Sequence, residues 1–143
     1  MNLFVPDASV AVKWLLPARP EPLHPEAESW LRRYVKDEVA FVVPDLFWAE
    51  LANILWKWIR QGRIERIVAQ EGLRRLEALQ IRTVPSLALL DLALELSVRY
   101  QRSVYDSLYV ALALQATAQV ITADEKLANA LAAHLPVKWL GAI

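Results

Sequence analysis

Cysteine is absent from the 143 residues, and that one absence excludes disulfides, thiolate zinc sites and cysteine nucleophiles together. It fits a reducing compartment, and the cytoplasm is the expected location. Glycine is scarce: Gly62, Gly72 and Gly141 are all there is, too scattered for a G-x-G-x-x-G or G-x-x-x-x-G-K phosphate loop. Net charge is absent as well, because 16 basic and 16 acidic side chains cancel. No overall positive field draws in nucleic acid, so any polyanion site has to be local. The opening Met-Asn-Leu-Phe-Val-Pro-Asp lacks the cationic segment and long apolar stretch of a signal peptide. Apolar runs of membrane-spanning length are missing too, broken by Asp91 and Glu95 or by Asp106, Gln115 and Gln119. No membrane partner is expected.

What is present fits one fold. At roughly 150 residues per domain, a single domain over 1–143 is expected. Short apolar runs bounded by turn or cap residues lie at Leu3 to Pro6, Val39 to Val43, Ile81 to Val84, Gln119 to Thr122 and Val137 to Leu140, each of strand length. Helical patterns fill the intervals at 8–16, 25–37, 45–61, 64–79, 86–100, 104–117 and 125–133, and the Pro-rich piece from Pro17 to Pro25 reads as a loop. Strands alternating with helices predict an α/β fold, a mostly parallel sheet of about five short strands covered on both faces. A helical bundle is the alternative.

In open α/β sheets ligands bind beyond the carboxyl ends of the strands, and four acids fall there or in nearby first helical turns. Asp7 follows the first strand and Asp124 the fourth; Glu50 and Asp106 lie early in the helices that begin at Asp45 and Ser103. Three of them have a plain structural reading. Asp7 suits the N-cap of a helix from Ala8. Ser103-Val-Tyr-Asp106 and Thr122-Ala-Asp-Glu125 both fit capping boxes, and Asp124 suits a helix dipole. Glu50 does not yield to such a reading, because eleven of the fourteen residues from Leu46 to Ile59 are apolar. Helical spacing puts Glu50, Asn53 and Lys57 on one stripe, opposite a core-seeking set of Phe47, Leu51, Ile54, Leu55 and Trp58. Carboxylates gathered in one place repel one another unless a cation compensates. Oxygen donors without Cys or a nearby His select a hard cation, Mg²⁺ or Mn²⁺, over zinc.

In this order the residues resemble the PIN-domain nucleases, in particular the VapC-type ribonuclease toxins of toxin–antitoxin pairs, over nearly the whole chain. Val5-Pro-Asp7-Ala-Ser9 is similar to the family's opening D-x-S/T, and Pro44-Asp-Leu-Phe-Trp-Ala-Glu50-Leu to its P-x-L-x-x-E-L helix. Tyr105-Asp106-Ser-Leu-Tyr-Val-Ala-Leu-Ala is similar to the third acidic motif, and Ile121-Thr122-Ala-Asp124-Glu-Lys126-Leu to the closing T-x-D. The resemblance implies a three-layer α/β/α PIN-like domain. It implies that Asp7, Glu50, Asp106 and Asp124 are catalytic and hold Mg²⁺ or Mn²⁺, with Ser9 and Thr122 as polar supports. It further implies an RNA substrate, 5′-phosphate and 3′-hydroxyl product ends, a cognate antitoxin and a homodimer. Lys13, Arg60, Arg63, Arg102 and Lys126 lie near the motifs in sequence and are candidates for guiding the RNA backbone; each also reads as ordinary solvated charge.

The expected activity is therefore metal-dependent hydrolysis of RNA phosphodiester bonds by the toxin of such a pair. A catalytically silent PIN-like module that binds a partner through an apolar helix face is the main alternative, since Trp48, Trp56 and Trp58 make the 45–61 helix apolar almost all round. The helix pair 45–61 and 64–79 offers a groove for an antitoxin segment or another subunit, unless neighbouring helices of the chain cover it. A nuclease directed at DNA is a third reading, because carboxylates and a cation address phosphate and not the 2′-hydroxyl. A haloacid-dehalogenase-like phosphatase fits less well, because Asp7-Ala-Ser9 lacks the second aspartate of a D-x-D opening.

Overall fold

All five apolar runs form strands: β1 Asn2–Pro6, β2 Val39–Pro44, β3 Arg82–Val84, β4 Gln119–Thr122 and β5 Val137–Trp139. The computed structural model describes residues 1–15 and 22–142. The predicted loop at 17–25 and the end of the helix predicted at 8–16 fall partly on 16–21, outside the described residues. Helices α1 Ala8–Trp14, α2 His24–Val35, α3 Leu46–Arg60, α4 Arg66–Ala78, α5 Leu90–Tyr100, α6 Val104–Ala116 and α7 Glu125–Leu131 match the seven predicted segments. One segment differs: the pattern at 86–100 is not a single helix. It begins as a 3₁₀ turn, Ser86–Leu89, and continues as α5. Pro85 fixes the entry into that turn, and Asp45 holds it by accepting bonds from the Ser86 amide, at 3.0 Å, and from the Ser86 hydroxyl.

The strands lie in the order β3-β2-β1-β4-β5, and every pairing is parallel, with Phe4 opposite Phe41 on one side and Val5 opposite Val120 on the other. The sheet is thus wholly parallel where a mostly parallel one was expected, and helices cover both faces in a three-layer α/β/α arrangement. The central strands β1, β2 and β4 are largely buried on both faces, which is why they read as apolar runs, while edge strand β3 exposes Arg82 and Thr83. Strand β1 stands in the middle. The chain builds outward from it to β2 and β3, then returns to place β4 on its other flank. The topological switch point therefore lies between β1 and β4, where open α/β sheets leave a crevice at the carboxyl ends of their strands.

The core gathers on both faces of these central strands. Val5, Val10, Val43, Phe47, Leu51, Leu89 and Ile121 are fully buried. Helix α6 buries every residue from Ser107 to Ala113, so its course is fixed by packing and not by amphipathic patterning. Helix α5 ends on Gln101 in the left-handed conformation (φ 55°). Two residues later Ser103 caps α6 by accepting from the Asp106 amide at 3.1 Å. The corner between the two helices is therefore tight. No helix among the described residues is long and apolar enough to cross a membrane.

Because Leu51 is fully buried between the helix layer and the sheet, Leu51→Ala is expected to cost about 2–5 kcal/mol. Urea denaturation reads this as a lower midpoint at unchanged slope.

A candidate acidic active site at the ends of the central strands

The site starts at the end of β1. Asp7 leaves the middle strand, donates its amide to the Ile121 carbonyl of β4 at 3.1 Å, and turns the chain into α1 as its N-cap. Its Oδ1 accepts from the Val10 amide at 3.3 Å and from the Ser9 hydroxyl at 2.5 Å. Ser9 in turn accepts the Ala123 amide at 3.0 Å and lies 3.5 Å from the Thr122 hydroxyl. One serine thus ties the turn after β1 to the turn after β4. Thr122 is fully buried and its hydroxyl accepts from the Asp124 amide at 3.0 Å. The expected capping box at Thr122 is shifted: Asp124 is the N-cap of α7, accepting from Leu127 at 3.1 Å, because the strand runs as far as Thr122.

Glu50 comes from the first half of α3 and Asp106 from the first turn of α6. Glu50 is half-buried, and its Oε1 accepts from the Tyr109 hydroxyl at 2.5 Å. Asp106 accepts from Arg102 Nη2 at 3.2 Å. Tyr109 lies within the third acidic motif, where the sequence alone assigns it no role. Its signal was faint, a hydroxyl one turn beyond Asp106 in an otherwise apolar helix, and an aromatic there reads as core. Tyr109 is in fact 4 % exposed, and its hydroxyl sits at the meeting of three elements, with Glu50 of α3, Asp7 and the Ala8 amide all acting on it.

The electrostatics show which acids converge. Asp7 is 8 % exposed, and burial pushes its carboxyl from 3.8 up to about 6, opposed by the Ser9 and Thr122 hydroxyls and the Val10 amide, with the charge of Glu50 adding to the rise. Glu50 is also pushed up, by burial first; the Tyr109 hydroxyl pulls it down and the charge of Asp106 raises it. Burial and the neighbouring Glu50 together raise the Tyr109 phenol, so it stays a proton donor. Asp7, Glu50 and Asp106 therefore form one electrically coupled series. Asp124 is exposed and joins it through the Thr122–Ser9 hydrogen bonds.

A metal-ready cluster is another matter. Among the described residues no three His, Cys, Asp or Glu side chains are posed to hold a metal ion. The reason is visible in the contacts, because each acid faces its own partner: Ser9 and Val10 for Asp7, Tyr109 for Glu50, Arg102 for Asp106 and Leu127 for Asp124. Uncompensated carboxylates separate in this way. Their oxygen-only donor set and their mutual repulsion nevertheless fit a hard divalent cation.

The expected RNA-guiding cations scatter. Arg102 is at the site, on Asp106. Lys13 is buried in the last turn of α1, and Lys126 is exposed in the first turn of α7. Arg60 lies over the Trp56 ring at 4.8 Å and Arg63 over Trp58 at 4.5 Å, so both stack on indoles at the far end of α3 from Glu50. The tryptophans divide. Trp58 is buried and Trp48 donates to Thr83 at 3.0 Å, but Trp56 stays 51 % exposed. Trp48 also borders a groove of about 510 Å³ with Ala52, Leu73, Glu77 and Ile81.

Residues 4–131 match the family model described as PIN domain. No curated protein matches the sequence at a significant level. Among solved structures, PAE2754 from Pyrobaculum aerophilum superposes with a TM-score of 0.71 at 20 % identity, covering 99 % of this chain and 85 % of that one. Mycobacterium tuberculosis VapC20, a sarcin–ricin loop cleaving toxin, gives 0.63 at 19 %, covering 91 % and 95 %. FitAB bound to an IR36 DNA fragment gives 0.52 at 18 %, covering 96 % and 94 %. At these identities the likeness is one of fold.

The raised Asp7 carboxyl has a consequence for stability. Its folded value lies above its unfolded one, so the folded state binds the extra proton between about pH 4 and 6. That contribution is fully present below the unfolded value and is lost as pH rises through about 6. Asp7→Asn keeps the cap without the buried charge and is expected to stabilise the protein at pH 7.5 in EDTA by roughly 1–3 kcal/mol. The gain should vanish near pH 4, read by denaturant unfolding at both pH values.

Proposed function

The chain belongs to the PIN-domain family, and from that premise we propose that it is a divalent-metal-dependent endoribonuclease, the toxin of a type II toxin–antitoxin pair. The observation that carries this reading is the coupled series of Asp7, Glu50 and Asp106 at the carboxyl end of the central strand, with Asp7 and Glu50 pushed up by burial and by their neighbours' charge. Residues 1–143 make one PIN-like domain in this reading, acting in the cytoplasm, with RNA as substrate, a cognate antitoxin as partner and a homodimer as assembly. VapC20, a sarcin–ricin loop cleaving toxin, is in line with an RNA substrate, and FitAB bound to a DNA fragment keeps DNA as an outcome of the test.

Asp7, Glu50, Asp106 and Asp124 are the residues proposed to hold Mg²⁺ or Mn²⁺. When bound, such a cation supplies Lewis acidity toward a phosphate oxygen and acidifies water. The chain's own residues do the rest. Ser9 and Thr122 orient the Asp7 carboxylate, keeping it partly ionised against its burial. Tyr109 fixes one oxygen of Glu50 by donating its hydroxyl to it. Arg102 and Lys126 supply positive charge beside the acids for the phosphodiester backbone, and Lys13, Arg60 and Arg63 are more distant candidates for the same work.

A second reading is carried by a separate observation. Trp56, Ile67 and Val68 of α3 and α4 remain exposed, which suits a PIN-like module that binds a protein and leaves RNA intact.

Cleavage of total cellular RNA by the purified protein in Mg²⁺ or Mn²⁺ separates the two. Discrete cuts with 5′-phosphate and 3′-hydroxyl ends are expected. EDTA should abolish them, and Asp7→Asn or Asp106→Asn should reduce them by at least about a hundredfold. Equal cleavage by Asp7→Asn overturns the nuclease reading, and a competing DNA substrate that is cut as fast overturns the preference for RNA. Tyr109→Phe removes a hydrogen bond to a charged group and is expected to lower the cleavage rate about tenfold, with circular dichroism unchanged.

A further inference from the structure

Arg102 sits in the tight corner between α5 and α6, one residue after the left-handed Gln101. Its Nη2 reaches Asp106 Oδ2 at 3.2 Å, with the two side chains 28 % and 35 % exposed. The contact is single. A guanidinium opposite a carboxylate at its best makes two parallel bonds, whereas here Nε is buried and finds no acceptor. The guanidinium is therefore held on Asp106 in a pose that satisfies it incompletely.

The other three acids are held differently. Asp7 takes bonds from a hydroxyl and an amide, Glu50 from a phenol and Asp124 from an amide. These neutral donors orient a carboxylate without cancelling its charge. Among the described residues Asp106 alone of the four is paired with an arginine, and its charge reaches Glu50. A cation approaching the series from the α6 side meets a carboxylate already occupied by positive charge.

We propose that Arg102 is a built-in competitor for the divalent cation, which gains Asp106 only by displacing the guanidinium. This rests on the reading that Asp106 belongs to a cation-binding set. Two positive groups on one carboxylate repel each other, so the Arg102 ion pair opposes the cation at Asp106. The arginine keeps the carboxylates from collapsing into a stray ion and sets a threshold cation concentration for filling the site.

The test is cation affinity in the purified protein, Mg²⁺ by calorimetry and Mn²⁺ by the EPR signal of the free ion. Removing a partly exposed ion pair is worth about a two- to fivefold change in affinity, so Arg102→Gln is expected to bind both ions that much more tightly. Arg102→Lys, which keeps the charge, should stay near wild type. Equal or weaker binding by Arg102→Gln overturns the proposal, the weaker case making Arg102 a support for Asp106. In the wild-type protein the ¹⁵N signal of Arg102 Nε should move with the same half-saturation as Mg²⁺ binding, and an unmoved signal under saturating Mg²⁺ overturns the proposal independently of any variant. If wild-type protein binds neither ion, the acidic-site reading itself falls, and this inference with it.

Discussion

Everything at the site depends on one costly placement, a carboxylate on the end of the middle strand of a wholly parallel sheet. Asp7 is buried there beside Glu50, and among the described residues no arginine or lysine is one of its charge-shifting neighbours. Burying an ionised carboxylate without a counter-charge is among the most expensive things a fold can do. The surrounding hydrogen bonds offset only part of it, as the raised carboxyl shows. A fold selected for stability alone would put an amide or an apolar residue at this position. The strand order makes the placement useful, because a central β1 with β4 on its return flank opens a crevice beside Asp7.

The scaffold around that point was legible in the sequence to within a residue or two. Parallel strands buried on both faces are continuous apolar runs, and helices between them carry caps such as Ser103 and Asp7, so local chemistry and global fold agree. The break at Ser86–Leu89 was not legible. A 3₁₀ turn followed by a helix has almost the same apolar spacing as one helix, and the contact that fixes it, from Asp45, comes from 41 residues away.

The site was legible in its acids and not in its wiring. Glu50 stood out because an acid inside so apolar a helix needs a reason. Tyr109 did not, because an aromatic on a buried helix is ordinary core, and only the fold brings its hydroxyl to a glutamate 59 positions away. Closeness in sequence does not set the place of the basic residues. Arg60 follows closely on the Glu50 motif, yet α3 carries it about 15 Å along its axis, where it stacks on Trp56, and Arg63, just beyond the helix, stacks on Trp58.

The corner between α5 and α6 bears on how this family of chains can vary. Gln101 in its left-handed conformation, Arg102 and the Ser103 cap leave no slack between the helices. Inserting one residue there advances α6 by about 100° around its own axis, which carries Asp106 off the acidic face and Tyr109 away from Glu50 in the same movement. An insertion or deletion in this short stretch would therefore disturb both side chains at once. Asp106 and Tyr109, two residues of the candidate site on one helix, inherit their aim from a connection only three residues long.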